Sequence, residues 1–285
     1  MTYRTRFAPS PTGPLHLGHA YSALLAYDRA RLHGGEFLLR IEDTDTQRCK
    51  PEWETLIYED LHWLGLEWET PVRRQSEHLE DYDRVLDQLA ARGLIYPCSC
   101  TRGDIRAALS APQEGAPLVG PDGIVYPGTC RGRDLDSRKP GDALRLNMRK
   151  AVEAIGNTSN CGFIENGPDH TGTHQLDAET LISGTGDVVL GRKEIETVSY
   201  LLAAVWDDAA QGITEVVRGV DLYEATFVQV LLQALLDLPT PTYFHHLLIR
   251  DEDGKRLAKR HDSKAIRLFR QDGASPEDIR RMVGL

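Results

Sequence analysis

No apolar run in this chain of 285 residues approaches the roughly 20 needed to span a bilayer. The longest, Val228 to Leu238, is broken by Gln233 and Asp237. The opening residues, Met1-Thr2-Tyr3-Arg4-Thr5-Arg6, lack the apolar centre of a secretory signal. Cysteine is scarce and odd in number: five residues, Cys49, Cys98, Cys100, Cys130 and Cys161. That argues against a disulfide framework and for a reducing compartment. Internal repeats and low-complexity segments are missing, as are the spacings of the Walker phosphate loop and the dinucleotide fingerprint. The chain also lacks the basic excess of a protein that coats nucleic acid, since its net charge is −10. These absences predict a cytoplasmic protein with no membrane contact.

What is present is the composition of an ordinary globular protein, 41% hydrophobic and 27% charged. Charge is unevenly spread: Arg250 to Arg281 holds ten Lys/Arg against seven Asp/Glu, so the C-terminal segment is locally positive. The first 45 residues read strand, loop, helix, strand. Arg4 to Ala8 is extended, Pro9 to Pro14 excludes regular structure, and apolar residues recur at helical spacing from His19 to Leu32 until Gly34-Gly35. Phe37 to Ile41 reads as an apolar strand. A start of this kind belongs to a parallel sheet covered by helices.

Helices are predicted at Glu52 to Leu64 and Leu79 to Arg92. Between about Tyr96 and Gly191 glycine, proline and aspartate dominate and strands are short, Ala143 to Leu146 and Asp187 to Leu190 being the clearest. This reads as an insertion interrupting the sheet. Helix and strand patterning resumes with Ser199 to Gln211, Thr214 to Val217 and Ala225 to Leu236. A short strand at Leu247 to Arg250, a charged loop and two small helices near Lys264 and Pro276 complete the reading.

Pro14-Leu15-His16-Leu17-Gly18-His19 lies where the first strand hands over to the first helix. A helix N-terminus offers free N–H groups and a positive dipole end, which suit a phosphate. Two histidines three residues apart can face one bound group, and Gly18 permits close approach to the backbone. An isolated His-x-x-His is more often an incidental polar turn; the flanking residues change that. Ala8-Pro9-Ser10-Pro11-Thr12-Gly13 followed by His16-x-Gly18-His19 resembles the nucleotide-binding signature of class I aminoacyl-tRNA synthetases, in the form used by the glutamyl and glutaminyl branch.

Gly254-Lys255-Arg256-Leu257-Ala258-Lys259-Arg260 is similar to that family's mobile Lys-rich loop, with Arg256 in place of the first lysine and Ala258 in place of the serine. The resemblance implies that His16, His19 and Lys259 are catalytic and that His16, Gly18, His19 and Lys259 bind ATP, which brings Mg²⁺. It further implies that Arg6, Ser10, Glu42, Tyr200 and Arg218 bind L-glutamate. Arginine is the physically sensible partner for a carboxylate because it binds bidentately. Singly, Arg6 or Arg218 reads as a surface ion pair and Tyr200 as a core aromatic; their joint spacing carries the reading. Ala204 stands where glutamyl-tRNA synthetases commonly have Asn, which predicts a simplified pocket.

Cys98-Ser99-Cys100, Tyr126 and Cys130 resemble the zinc ligands of the queuosine-modifying branch of the family, in which a single structural Zn²⁺ is held by Cys-x-Cys, a tyrosine and a cysteine four residues later. On the residues alone, Cys161 or a histidine such as His170 stays open as an alternative fourth ligand.

The expected fold is therefore α/β, a Rossmann-like parallel sheet with a zinc-binding insertion and a small C-terminal helical stem-contact region. Its expected divisions are 1–95 and 191–240 for the two halves of the catalytic body, 96–190 for the insertion and 241–285 for the Lys-rich loop and helices. The chain ends 25 residues after Arg260, with no anticodon-binding domain, so it resembles the truncated glutamyl-queuosine tRNA(Asp) synthetase branch. That likeness implies a monomeric ester-forming ligase that activates glutamate with ATP and transfers it to queuosine in the anticodon stem-loop of tRNA(Asp). A minimal enzyme charging tRNA(Glu) and a non-catalytic module binding glutamate or RNA remain as alternatives.

Overall fold

A computed structural model of the chain describes residues 2–109, 119–120, 123–192, 197–249 and 264–285. Strand β1 (Arg4–Phe7) leads through the proline-rich turn into helix α1 (Leu17–Leu32), and β2 (Glu36–Ile41) returns parallel to β1. Helix α1 lies against the sheet through small side chains, Ala20, Ala23, Ala26 and Ala30, with Leu24 between them, all buried. The turn that follows is tight enough to require glycine at position 35, where a Cβ would lie 2.2 Å from the Tyr3 carbonyl oxygen.

Helix α2 (Pro51–Trp63) begins with proline at its first position, and Ile57 and Leu61 face the core. Burying each such side chain stabilises the fold by about 1.5–3 kcal/mol. β3 (Glu69–Arg74) then adds to β2 in parallel, followed by helix α3 (Leu79–Ala91).

The region expected to be an insertion opens with β4 (Ile95–Cys98) and α4 (Arg102–Leu109), then the two-residue strands β5 (Val119–Gly120) and β6 (Gly123–Ile124). β7 (Ala143–Leu146) matches its expected bounds, and α5 (Met148–Ile155) follows. β8 (Gly162–Glu165) and β9 (Gly172–Gln175) form an antiparallel pair. β10 (Val189–Arg192) and β11 (Thr197–Val198) join β7 and β4 in an antiparallel sheet of order β11-β10-β7-β4.

Helix α6 (Tyr200–Ala210), β12 (Glu215–Gly219) and α7 (Tyr223–Leu235) fall within a residue or two of the sequence reading. The predicted strand at Leu247 to Arg250 is a correction: the strand is β13 (Thr242–His246), and Leu247 to Ile249 are irregular, with Leu247 47% exposed. The strand carries two polar residues, His245 and His246, and both are buried. Arg250 lies outside the described residues. The chain closes with α8 (Ile266–Gln271) and α9 (Pro276–Val283), the latter clamped to α1 by two bonds from Arg280 to Asp28, 2.7 and 2.9 Å.

The parallel strands lie in two ladders, β3-β2-β1 and β12-β13-β8, the second extended by the antiparallel β9. The Thr214 N–H donates to the Arg4 carbonyl at 3.0 Å, and the Arg4 N–H donates to Thr214 Oγ1 at 2.8 Å, setting β1 beside β12. The strand order therefore reverses between β1 and β12, and the crevice beyond their C-terminal ends is where open α/β sheets bind ligands. β8 and β9, from within residues 96–190, extend this sheet, and β13 continues it past residue 240. β8, β12 and β13 are neighbours in one sheet although they lie in three of the expected divisions. Among the described residues no helix is long and apolar enough to cross a membrane.

Candidate active site

His16 is the N-cap of α1, in extended conformation (φ −127°, ψ 176°), and its Nδ1 accepts from the Gly18 N–H at 3.1 Å. The His16 N–H donates in turn to His19 Nδ1 at 3.2 Å. The two rings lie 3.8 Å apart, tilted by 30°. This is a reciprocal cap built from imidazoles, and α1 has no acidic residue in its first turn to offset the helix dipole. Gly18 also has a packing reason that its sequence does not show: a Cβ there would sit 3.0 Å from His16 Cε1 and 3.2 Å from its Nδ1. The missing side chain makes room for the His16 ring. The C-terminal segment is pinned at the same turn, where Ile266 N–H donates to the Leu15 carbonyl at 2.8 Å and Ala265 bridges to His16. Lys259, with Arg256 and Ala258, lies outside the described residues.

Across the switch point the strands present charge. Arg6, on β1 and buried, binds Asp208 of α6 through Nε at 2.9 Å and Nη2 at 3.2 Å. Arg40, on β2 and 0% exposed, donates to the same Asp208 at 2.7 Å, to Gln211 at 3.1 Å and to Glu42 at 3.2 Å. Burial by itself would raise the Asp208 carboxyl; Arg6 and Arg40 outweigh it and hold that group down at about 2. Burial raises Glu42 above its usual range, a rise that Arg40 and Arg6 oppose. The Glu42 N–H donates to the Pro9 carbonyl at 3.0 Å, tying the end of β2 to the turn after β1. Asp207 beside it accepts from Arg73, Gln75 and Tyr82, at 2.7, 2.9 and 2.9 Å.

Arg218, on β12 and buried, is held differently. Its Nη1 donates to Tyr200 Oη at 3.2 Å, its Nη2 to Thr226 Oγ1 at 2.8 Å and to the Leu222 carbonyl at 3.3 Å, and its Nε to His245 Nε2 at 3.1 Å. Among the described residues none of its hydrogen bonds goes to a carboxylate. Tyr243 links the two arginines: Arg218 lies over its ring at 5.4 Å, and burial pushes its phenol up to about 12 within reach of the charges of Arg218, Asp208 and Arg6. Tyr200 also acts electrostatically on Arg6. Arg6, Glu42, Tyr200 and Arg218 are thereby brought together. Ser10 is exposed on the turn after β1, its carbonyl accepting from Thr12 N–H at 2.8 Å.

At the end of β4 the sulfurs of Cys98, Cys100 and Cys130 all lie within 4.8 Å of one another, a cluster that can hold a metal ion. Tyr126 Oη is 3.4 Å from both the Cys98 and Cys100 sulfurs and accepts from the Cys130 N–H at 2.8 Å. The Arg145 guanidinium covers the Tyr126 ring at 4.0 Å and its Nε donates to the Cys98 sulfur at 3.3 Å. The two alternative ligands sit elsewhere: Cys161 packs against the main apolar core, and His170 stacks on Tyr223 at 3.9 Å. Three thiol groups this close are donor chemistry that suits a soft or borderline divalent metal ion.

A family model described as tRNA synthetases class I (E and Q), catalytic domain, matches residues 2–117 and 179–285. A Glutamyl-Q tRNA(Asp) synthetase from Rhodobacter capsulatus is 57% identical over 284 residues, covering 99% of each chain. The chain belongs to the class I tRNA synthetase family. Another Glutamyl-Q tRNA(Asp) synthetase, from Nitratidesulfovibrio vulgaris, is 41% identical over 292 residues, 97% of this chain and 83% of its own. Among solved structures, a glutamate tRNA ligase from Elizabethkingia meningosepticum in complex with its amino acid superimposes with a TM-score of 0.75 at 27% identity. That match covers all of this chain and 61% of the ligase. The fold is the class I synthetase catalytic fold, and this member of the family is an enzyme of the ligase class.

Several residues that shape this crevice escaped the sequence reading. Arg40 left a signal, a lone cation inside the otherwise apolar strand Phe37 to Ile41. His245 and Glu165 left none, since they meet only through the pairing of β13 with β8.

Proposed function

We propose that the chain activates L-glutamate with ATP to glutamyl-adenylate and transfers the glutamyl group to queuosine at the wobble position of tRNA(Asp). The observation that carries the reading is Arg218, a buried cation with no carboxylate among its hydrogen bonds to the described residues, set with Arg6 at the switch point near the imidazole-capped start of α1. Arg218 and Arg6 take the carboxylates of glutamate, and Arg6 Nη1 has no hydrogen-bond partner among the described residues. Glu42 takes the ammonium, Tyr200 and Ser10 line the pocket, and His16, Gly18 and His19 hold the phosphates against the helix dipole. Lys259 completes the phosphate site as a second cation.

Glutamate needs no strong base, since its carboxylate is already ionised at neutral pH. It attacks the α-phosphate of ATP in line, pyrophosphate leaves, and the protein's part is positioning and charge stabilisation. Mg²⁺ bound to ATP neutralises phosphate charge. Cys98, Cys100, Cys130 and Tyr126 hold one structural Zn²⁺, which knits residues 96–190 and takes no part in the chemistry. The names of the full-length relatives support queuosine in tRNA(Asp) as acceptor; the solved glutamate ligase favours a second reading, charging of tRNA(Glu).

Transfer of labelled glutamate, with ATP and Mg²⁺, to tRNA(Asp) with and without queuosine and to tRNA(Glu) separates these readings. Label confined to the queuosine-bearing tRNA(Asp) is the expected result. Label on tRNA(Glu) would overturn the acceptor, and absence of glutamate-dependent pyrophosphate exchange would overturn the activation step.

A further inference from the structure

Glu165 sits at the end of β8, in the stretch between residues 117 and 179 that the family model does not match. It is 1% exposed and fully hydrogen-bonded. Its Oε1 accepts from the backbone N–H of Gly167 at 2.6 Å and of His245 at 2.9 Å, and its Oε2 meets His245 Nδ1 at 2.5 Å. The far side of the same imidazole, Nε2, receives Arg218 Nε–H. An arginine nitrogen here can only donate, so His245 Nε2 must be the bare nitrogen and Nδ1 must carry the proton, which it donates to Glu165. Burial and the neighbouring Arg218 cation both keep this imidazole neutral, against the pull of Glu165.

We infer that Glu165 and His245 form a positioning relay for Arg218: the carboxylate fixes the imidazole tautomer, and the tautomer fixes the guanidinium. The relay gives Arg218 an anionic anchor at one remove. A carboxylate bonded directly to Arg218 would compete with an incoming one; a neutral imidazole orients the cation and leaves its charge available. With Thr226 and Leu222 on Nη2 and Tyr200 on Nη1, the guanidinium plane is set before any ligand arrives. Arg6 shows the contrast, since Asp208 binds it bidentately. The relay rests on the reading of Arg218 as a glutamate ligand given above. It makes the stretch around β8 part of the amino-acid site rather than a peripheral insert.

Glu165→Gln tests it with little risk to folding, because the amide oxygen keeps both backbone donors and only Oε2 is exchanged for an N–H donor. That new donor faces Nδ1 and drives the imidazole proton to Nε2, where it opposes Arg218 Nε–H. Two measurements on the full-length chain follow. Nitrogen-15 NMR of the histidine rings should show His245 as the Nδ1–H tautomer in the parent chain and Nε2–H in Glu165→Gln. Glutamate-dependent pyrophosphate exchange should show KM for glutamate raised at least about tenfold, a loss near 1.4 kcal/mol, with KM for ATP unchanged. An unchanged tautomer, or equal rises in both KM values, overturns the relay. If Arg218→Lys leaves KM for glutamate unchanged while the tautomer still switches in Glu165→Gln, the assignment of Arg218 falls and the relay's geometry stands without that role.

Discussion

Replacing Asp60 by asparagine should stabilise the folded chain near neutral pH, even though Asp60 faces an arginine. Asp60 lies in α2 beneath α8, is 0% exposed, and neither carboxylate oxygen receives a hydrogen bond. Arg270 Nη2 approaches only to 3.8 Å and is shared with Glu59 at 3.6 Å. Burial therefore dominates and raises the carboxyl from an ordinary 3.8 to about 6, with Glu59 adding to the rise and Arg270 and Arg267 opposing it. At about 1.4 kcal/mol per tenfold change in proton affinity, the charged form is disfavoured in the folded state by roughly 3 kcal/mol. Below the unfolded value both states hold the proton and this cost is absent. Between 3.8 and about 6 the unfolded chain releases its proton while the folded chain retains it, so stability falls as pH rises. Above about 6 the full penalty stands. Asparagine is neutral throughout, but its amide inherits an unpartnered site worth about 1–2 kcal/mol. The net gain expected at about pH 7.5 is then roughly 1–2 kcal/mol, or about 2–8 °C in Tm. Urea denaturation of both chains at about pH 7.5 and about pH 4.5 measures it. A difference that is the same at both pH values, or a loss of stability at the higher one, would refute the argument.

Asp208→Asn should act in the opposite sense. It leaves Arg6 and Arg40 buried without the carboxylate they share, and breaking a buried pair in this way costs about 3–5 kcal/mol; a loss below about 1 kcal/mol in chemical denaturation would show that Glu42 and Asp207 balance the two cations unaided. Elemental analysis of the purified chain should find about one zinc per molecule, reduced in Cys98→Ser and Cys130→Ser and retained in Cys161→Ser. Chelation should raise protease sensitivity between residues 96 and 190 first. Zinc content unaffected by Cys98→Ser, or lost equally from Cys161→Ser, would remove the site from this cluster.

Much of this architecture is legible from local pattern. The β1, α1, β2 start follows from the proline-rich turn and helical apolar spacing, and the His16 turn lies where the change from strand to helix puts it. The clustering of Arg6, Glu42, Tyr200 and Arg218 was expected from resemblance, and no period in the sequence predicts it. What stayed hidden depends on long-range pairing. β13 was placed too late at Leu247 to Arg250, and the partners that admit His245 and His246 to the interior, Glu165 and Ser22, come from distant parts of the chain. β8 and β9 are four-residue strands in a glycine-rich stretch, and their neighbours across the sheet decide their state. A second reason for Gly18 was also hidden, since only the ring placement of His16 shows what a side chain there would strike.

The two arginines at the switch point show why such a site cannot be read from charge counts. Taking Arg6, Arg40, Arg73 and Arg218 against Glu42, Glu165, Asp207 and Asp208, the buried and half-buried set is formally neutral, so a tally suggests no affinity for an anion. Affinity depends instead on which cations can accept another partner. Asp208 serves Arg6 and Arg40 together, and Asp207 is occupied by Arg73, Gln75 and Tyr82. The carboxylate balancing Arg218 stands behind a neutral imidazole, where it lowers the cost of burying the cation without occupying its hydrogen-bonding edge. A rigid arginine of this kind, compensated at a distance, meets a ligand carboxylate with little reorganisation, which is the condition for strong electrostatic recognition in a crevice.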